Sequence, residues 1–340
     1  MKLASFIKPG TDYVRSGLVL DTDKTIVDMN AGYALFLDQE KNEPRYQEMA
    51  DALMPTNMVK IFPDWPKPKE RLKELNDFAQ NREGELRQKH ILFDIEKVDL
   101  MSPIPRPPAF GIGYFNTRGI IEEASRQKER AKGEKIGIEM ALDYPKIATI
   151  SWSHPRCVIG PSQPIVYPEI SNAVFDSIEL CLIVGKEAYR VPKEKAGEYI
   201  AGYTVTSDIT VFDRVQDENF VYTVCRSKSM PTFWPCGPWM VFPEDIGNVL
   251  EKNAFVRING EQKMKGNFSS YIYSPEDYIA DVSKFMILEP GTMIAMGCFT
   301  DTTFTFLTPG DIVENEIESI GVMKNRVVSE KEAREKGIKI

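Results

Sequence analysis

Much of the chain reads as short apolar-rich segments separated by Gly, Pro, Asn and Asp turns, the pattern of strands. Gly17-Leu-Val-Leu20 and Thr25-Ile-Val-Asp-Met29 read as two short strands joined by the Asp21-Thr-Asp-Lys24 turn. The pattern then shifts to helical spacing around Arg45–Met54 and over Pro68–Arg87, where Leu72, Leu75 and Phe78 share one face. Ile91, Phe93 and Ile95 return to strand alternation. Further on, Ile178–Val184, Ala201–Ser207, Trp239–Phe242, Ala254–Ile258, Met293–Ala295 and Ile312–Glu318 are predicted strands separated by Gly, Pro, Asn and Asp turns. Asn259-Gly260 is a type I′ hairpin signal between two of these segments. Glu122–Lys135 reads as a polar helix, Lys193–Ile200 as a short one closed by Gly202, and Ser329-x-x-Glu332 as a capping box for a last exposed helix.

Pro103-Ile-Pro-Arg-Pro-Pro108 interrupts this pattern, because four prolines in six residues continue neither a helix nor a central strand. It divides the chain into a small α/β N-terminal domain, residues 1–102, and a β-dominated domain, residues 103–340. Short strands with few helices predict an α+β fold with a sandwiched or rolled sheet rather than a doubly wound one.

At 340 residues, 42% apolar and 27% charged, the composition is that of an ordinary soluble globular protein. A net charge of −8 gives no electrostatic reason to expect nucleic acid or an anionic membrane as partner. Arg126 to Lys135 is the densest basic run, but Glu129 and Glu134 interleave it, as on a solvated helix face. The five cysteines are an odd count without paired CxxC spacing, which argues against a zinc site and a disulfide framework. No stretch reaches the ~18–20 apolar residues of a membrane span, and no opening apolar run resembles a signal peptide. The expected location is therefore cytoplasmic.

The chemistry concentrates in Ala201-Gly-Tyr-Thr-Val-Thr-Ser-Asp208, with Lys228 and Gly237-Pro-Trp239 following. Here a turn delivers an acid from a strand end, then a lysine and a tight turn arrive, as in a pocket for a small anionic, oxygen-rich substrate. Other landmarks are Ile159-Gly-Pro-Ser-Gln-Pro-Ile165, Glu179-Leu-Cys-Leu-Ile-Val-Gly-Lys186, Val256-Arg-Ile-Asn-Gly260, Leu288-Glu-Pro-Gly291, Thr308-Pro-Gly-Asp311 and Gly321-Val-Met-Lys-Asn-Arg-Val327. In this order they resemble the fumarylacetoacetate hydrolase family, from Pro103 to Val327. The opening module resembles the N-terminal domain that often precedes it.

That resemblance implies a mixed β-roll, a homodimer, and a small-molecule substrate. The expected reaction is C–C hydrolysis, decarboxylation or isomerisation of a 2-oxo or 1,3-dicarbonyl compound through an enolate. It also implies Mg²⁺ or Mn²⁺ on Glu179 and Asp208. The family's first metal glutamate falls on Ser177, so the ion is expected to be held weakly or not at all. Asp176 points to the opposite face of the strand and does not substitute. Lys228 stands at the family's lysine, where an ammonium neutralises a carboxylate or enolate. His154 and Glu122 are the candidates for moving a proton or activating water.

The chain also departs from the family elsewhere. Phe212 replaces an arginine, Pro231 an aspartate, Gly119 a histidine, and Met296-Gly-Cys-Phe299 the loop Thr-Gly-Thr-Pro. Ser177, Phe212, Gly237 and Cys298 are the expected substrate contacts, in a pocket more apolar than the family norm. Two further readings follow from the same losses. One is a metal-independent cyclase, dehydratase or isomerase of a larger apolar substrate; the other is a non-catalytic binding protein.

Overall fold

A computed structural model of the chain describes residues 1–20, 23–114, 116–117, 148–213, 226–299 and 305–338. The predicted helix at Glu122–Lys135, with Glu122 itself, lies outside them.

The main sheet has twelve strands among the described residues. Its order is Leu92–Asp94, Thr25–Asp28, Val14–Val19, Lys2–Ile7, Trp234–Val241, Ile200–Ser207, Ile178–Val184, Met293–Cys298, Phe110–Tyr114 and Thr149–Ser153. Asp99–Met101 and Val158–Ile159 pair beside this path. A five-stranded sheet runs Glu261–Asn267, Asn253–Ile258, Ile312–Ile317, Gly321–Ser329, Ile165–Tyr167. Three short strands, Thr210–Val211, Val174–Asp176 and Thr305–Phe306, form a third sheet. The fold is thus β-dominated α+β, as that run of short segments predicts.

Lys2–Ile7 joins the two halves of the chain, pairing Lys2 with Val241 and Leu3 with Met240. The main apolar core extends from Leu3 to Val327, with a small separate cluster of Val166, Val328 and Ala333. Ile178–Val184 lies at its centre, buried along its whole length. That explains its near-continuous hydrophobic run: both faces are covered, so alternation disappears. Glu179 is the exception within it.

Several local predictions hold in detail. Asn259 and Gly260 have φ of 53° and 80° and turn Asn253–Ile258 into Glu261–Asn267, the backbone a type I′ turn demands. Ser329 caps Glu330–Glu335 by accepting the Glu332 N–H.

Others need correction. The helix predicted over Pro68–Arg87 is two, Pro68–Asn81 and Glu83–Gln88, broken at Arg82. The strand at Ile91–Ile95 is only Leu92–Asp94, and Ile95 enters a 3₁₀ turn. The strand predicted at Trp239–Phe242 runs from Trp234 to Val241, through Pro235 and a cis Gly237–Pro238 bond. Prolines cannot donate to a ladder, but hydroxyls of the neighbouring strand use the carbonyls here. Thr206 donates to Pro235 O at 2.9 Å and Thr204 to Gly237 O at 3.1 Å.

Met29–Lys41 is a helix where none was predicted. Asp28 caps it and is itself fully buried, clamped by both guanidinium arms of Arg15 at 2.8 and 2.9 Å. Gly32, unfavourable inside a helix on propensity alone, is needed for packing. A Cβ there would come within 2.9 Å of Val27 and 3.0 Å of Leu75.

Candidate active site

Neighbouring strands bring the candidate acids together. In the pairing register Cys298 faces Glu179, Glu179 faces Thr206, and Thr206 faces Cys236. Directly opposed residues on antiparallel strands project to one side of a sheet. Asp208 lies just past the strand end, fixed by its N–H donating to Ser177 O at 2.8 Å.

There the three principal residues meet. Lys228 Nζ donates to Asp208 Oδ2, and to Thr210 Oγ1 at 2.6 Å. Thr210 Oγ1 in turn donates to Asp208 Oδ1 at 3.1 Å. Glu179 Oε2 accepts the Gly297 N–H at 2.9 Å. All three side chains are nearly sealed from solvent: Glu179 is 2% exposed, Asp208 5% and Lys228 7%. Burial, and then the Asp208 charge, push the Glu179 carboxyl well above the usual carboxylate range. Lys228 and Gly297 oppose that shift, and a hydrogen bond between the two carboxyls adds to it.

The loop holding Glu179 has its own support. Gly297 has φ of +93°, a conformation suited to glycine, and Tyr271 donates its hydroxyl to the Gly297 carbonyl. Asn116 Nδ2 donates to Met296 O at 2.9 Å and fastens the loop from another side. Burial, then the Glu179 and Cys298 charges, push the Tyr271 phenol up, which keeps it a hydrogen-bond donor.

Aromatic rings stand beside the ammonium. Lys228 Nζ is 5.8 Å from the Phe175 ring centroid. Phe212 packs edge-on against Phe175 at 5.7 Å and Phe306 at 5.8 Å. Phe306 is half-exposed, so the cluster reaches the surface.

Behind Asp208 lies a second acid. Asp176 is fully buried and accepts Asn315 Nδ2 at 3.0 Å from the five-stranded sheet. The same amide donates to Ser207 Oγ at 2.5 Å. Burial raises the Asp176 carboxyl to about 6 against the lowering effect of these bonds, with the Asp208 charge adding to the rise. Asp176 thus belongs to a separate network.

The remaining candidates lie apart from this centre. His154 is exposed and caps a 3₁₀ turn, its Nδ1 accepting the Arg156 N–H at 3.1 Å. Its neighbourhood does touch the lysine segment, since Ser153 Oγ and Ser229 Oγ are 3.0 Å apart. Gly237 is two strands from Glu179, covered by Pro161, whose Cγ would be 2.7 Å from an added Cβ. Cys298 is half-buried opposite Glu179, whereas Phe299 is buried against Phe268 at 5.6 Å. Gly297 stands within the quoted Met296-Gly-Cys-Phe299 segment, but Thr210, Tyr271 and Phe175 were not singled out from the sequence. Of these only Thr210, two residues beyond Asp208, had a usable signal.

A divalent ion fits this donor set poorly. Hard cations of this class take about six or more oxygens, several of them charged. Among the described residues no three His, Cys, Asp or Glu side chains converge as a metal-binding group. Both Asp208 oxygens and one of Glu179's are already hydrogen-bonded.

A rolled, β-dominated α+β scaffold enclosing two acids and one lysine defines a recognisable class of protein. The family model for the fumarylacetoacetate (FAA) hydrolase C-terminal domain matches residues 116–328, and the chain belongs to that family. It is 34% identical over 226 residues to an uncharacterized protein of Pyrococcus abyssi, covering 65% of this chain and 96% of that one. It is 26% identical over 317 residues to an oxaloacetate tautomerase of Bacillus subtilis, covering 92% and 95% respectively. Its fold is similar to the crystal structure of a maleylpyruvate hydrolase from Sphingobium sp. SYK-6 in complex with manganese(II) and pyruvate. That likeness has a TM-score of 0.64 at 19% identity and covers 97% of this chain and 99% of the other.

Proposed function

We propose that the protein catalyses proton transfer through an enolate on a small 2-oxo or 1,3-dicarbonyl acid, as a keto–enol tautomerase or isomerase. The observation that carries this reading is the meeting of Glu179, Asp208 and Lys228 in one buried centre. Its roles are complementary. The Lys228 ammonium faces the oxygen on which negative charge develops. Asp208 accepts the proton from the carbon next to the carbonyl, and the neutral Glu179 carboxyl donates one to the carbonyl oxygen. Afterwards Asp208 holds a proton and Glu179 has lost one, and the hydrogen bond between them returns it. No water is consumed, so the cycle needs neither His154 nor Glu122. The similarity to an oxaloacetate tautomerase over most of the chain supports the same class of substrate.

Phe175, Phe212 and Phe306 supply an apolar wall beside the ammonium, suited to a substrate with an apolar tail beyond its oxo-acid head. A cytoplasmic homodimer working on a small molecule completes the proposal, on the strength of the sequence.

The experiment is to follow the ultraviolet absorbance of oxaloacetate and acylpyruvate enols with purified protein. Accelerated interconversion is expected, falling about 10²–10³-fold in Lys228→Ala. No acceleration of any of these compounds, with Mn²⁺ or with EDTA, would overturn the reading.

A further inference from the structure

We propose that the Lys228 ammonium occupies the role of a divalent cation here, and that the site binds neither Mg²⁺ nor Mn²⁺ as a resident ion. The proposal rests on the oxo-acid reading for its chemistry, though not for its test.

Three observations lead to it. The ammonium is already in contact with Asp208 Oδ2, the oxygen an ion would have to share, and a second hydrogen bond to Thr210 holds it there. A doubly charged ion on the same carboxylate would sit within a few ångströms of a fixed positive charge, in a region nearly closed to water. Among the described residues the donor set is also too small. Ser177 is buried at the junction between Val174–Asp176 and Ile178–Val184, two residues before Glu179, and a hydroxyl there supplies no charge. The nearby acid that could make up the deficit, Asp176, is turned away and tied to Asn315.

The arrangement is coherent without an ion. Lys228 meets one carboxylate, the Phe175 ring face lies within cation–π distance, and Thr210 relays between ammonium and acid. The protein thus supplies a single positive charge at the place where an enolate or substrate carboxylate needs one.

The full chain, freed of metal by EDTA and dialysis, is titrated with Mn²⁺ alone, and unbound ion is read by electron paramagnetic resonance. The wild type should leave the Mn²⁺ signal undiminished at micromolar concentrations. Ser177→Glu restores a third carboxylate, and Lys228→Met removes the competing charge. At least one should take up one Mn²⁺ per chain, with affinity raised about 10–100-fold. Circular dichroism shows which variants are folded, and either folded variant tests the idea. One tightly held Mn²⁺ per wild-type chain would overturn the proposal, and so would folded variants that bind no better than the wild type. Since no substrate is present, this outcome is independent of whether the oxo-acid reading succeeds.

Discussion

Tyr271 controls Glu179 without touching it: its hydroxyl holds the Gly297 carbonyl, and the N–H of the same residue holds the Glu179 carboxyl. Gly297 thus links a phenol to the acid of the site through the two peptide groups that flank its Cα. Tyr271→Phe should cost about 1 kcal/mol of stability, the net worth of one hydrogen bond. Turnover should fall more than that loss implies, because the Gly297 N–H would no longer be aimed. Denaturant melts and kcat measured on the same preparation check this. A variant with full kcat would show that the loop keeps its shape unaided.

Lys228 and Asp208 form a buried pair, and breaking such a pair leaves one charge without a partner. Lys228→Ala and Asp208→Ala should each destabilise by about 3–5 kcal/mol. Lys228→Met combined with Asp208→Leu should recover most of that loss while remaining inactive. A cycle of Lys228→Met, Asp208→Leu and their combination, followed by urea denaturation, gives the coupling.

Asp176 makes stability depend on pH in a defined direction. Its carboxyl is raised to about 6 in the fold, so the native state keeps a proton that the unfolded chain releases near pH 4. The stabilisation is complete below pH 4 and disappears as pH rises toward 6. An upshift of this size is worth on the order of 2–3 kcal/mol. Asp176→Asn should therefore be more stable than wild type above pH 6, with the difference shrinking toward pH 4. The amide also supplies donors for the Asp176 Oδ1 and Asn315 Oδ1 positions, which are buried without partners. Melting temperatures of both proteins between pH 4 and 8 decide it.

Phe212 should affect binding more than chemistry. Phe212→Ala opens the aromatic cluster beside Lys228 and should raise KM several-fold for substrates with an apolar tail, leaving kcat within a factor of about three. Steady-state kinetics on a short and a long acylpyruvate separate the two effects.

Much of this centre was legible in the chain. Glu179 stood out as the one charge in an otherwise apolar strand, and Asp208 and Lys228 were marked by the turn before them. Alternation predicted Asp176 on the opposite face of Glu179's strand, whereas it ends the separate strand Val174–Asp176 and meets Asn315 there. The roles of Gly297 and Tyr271 were illegible because they come from pairing across 118 residues in one case and 26 in the other. The Met29–Lys41 helix was missed for a related reason. Gly32 weakens its local signal, and only the closeness of Val27 and Leu75 explains the residue. His154 shows the reverse. A histidine in a loop invites a catalytic reading, yet here its ring nitrogen caps a turn.

The pairing of Lys2 and Leu3 with Val241 and Met240 has a consequence for biosynthesis. Lys2–Ile7 pairs within residues 1–102 with Val14–Val19 and, at Ser5–Ile7, with Asp99–Met101, but Lys2 and Leu3 wait for partners some two hundred and forty residues further along the chain. Until then the nascent opening segment carries an uncovered edge, the kind of surface that recruits other chains. A fragment ending near residue 102 should consequently self-associate, and chaperone demand should peak before translation reaches Trp234.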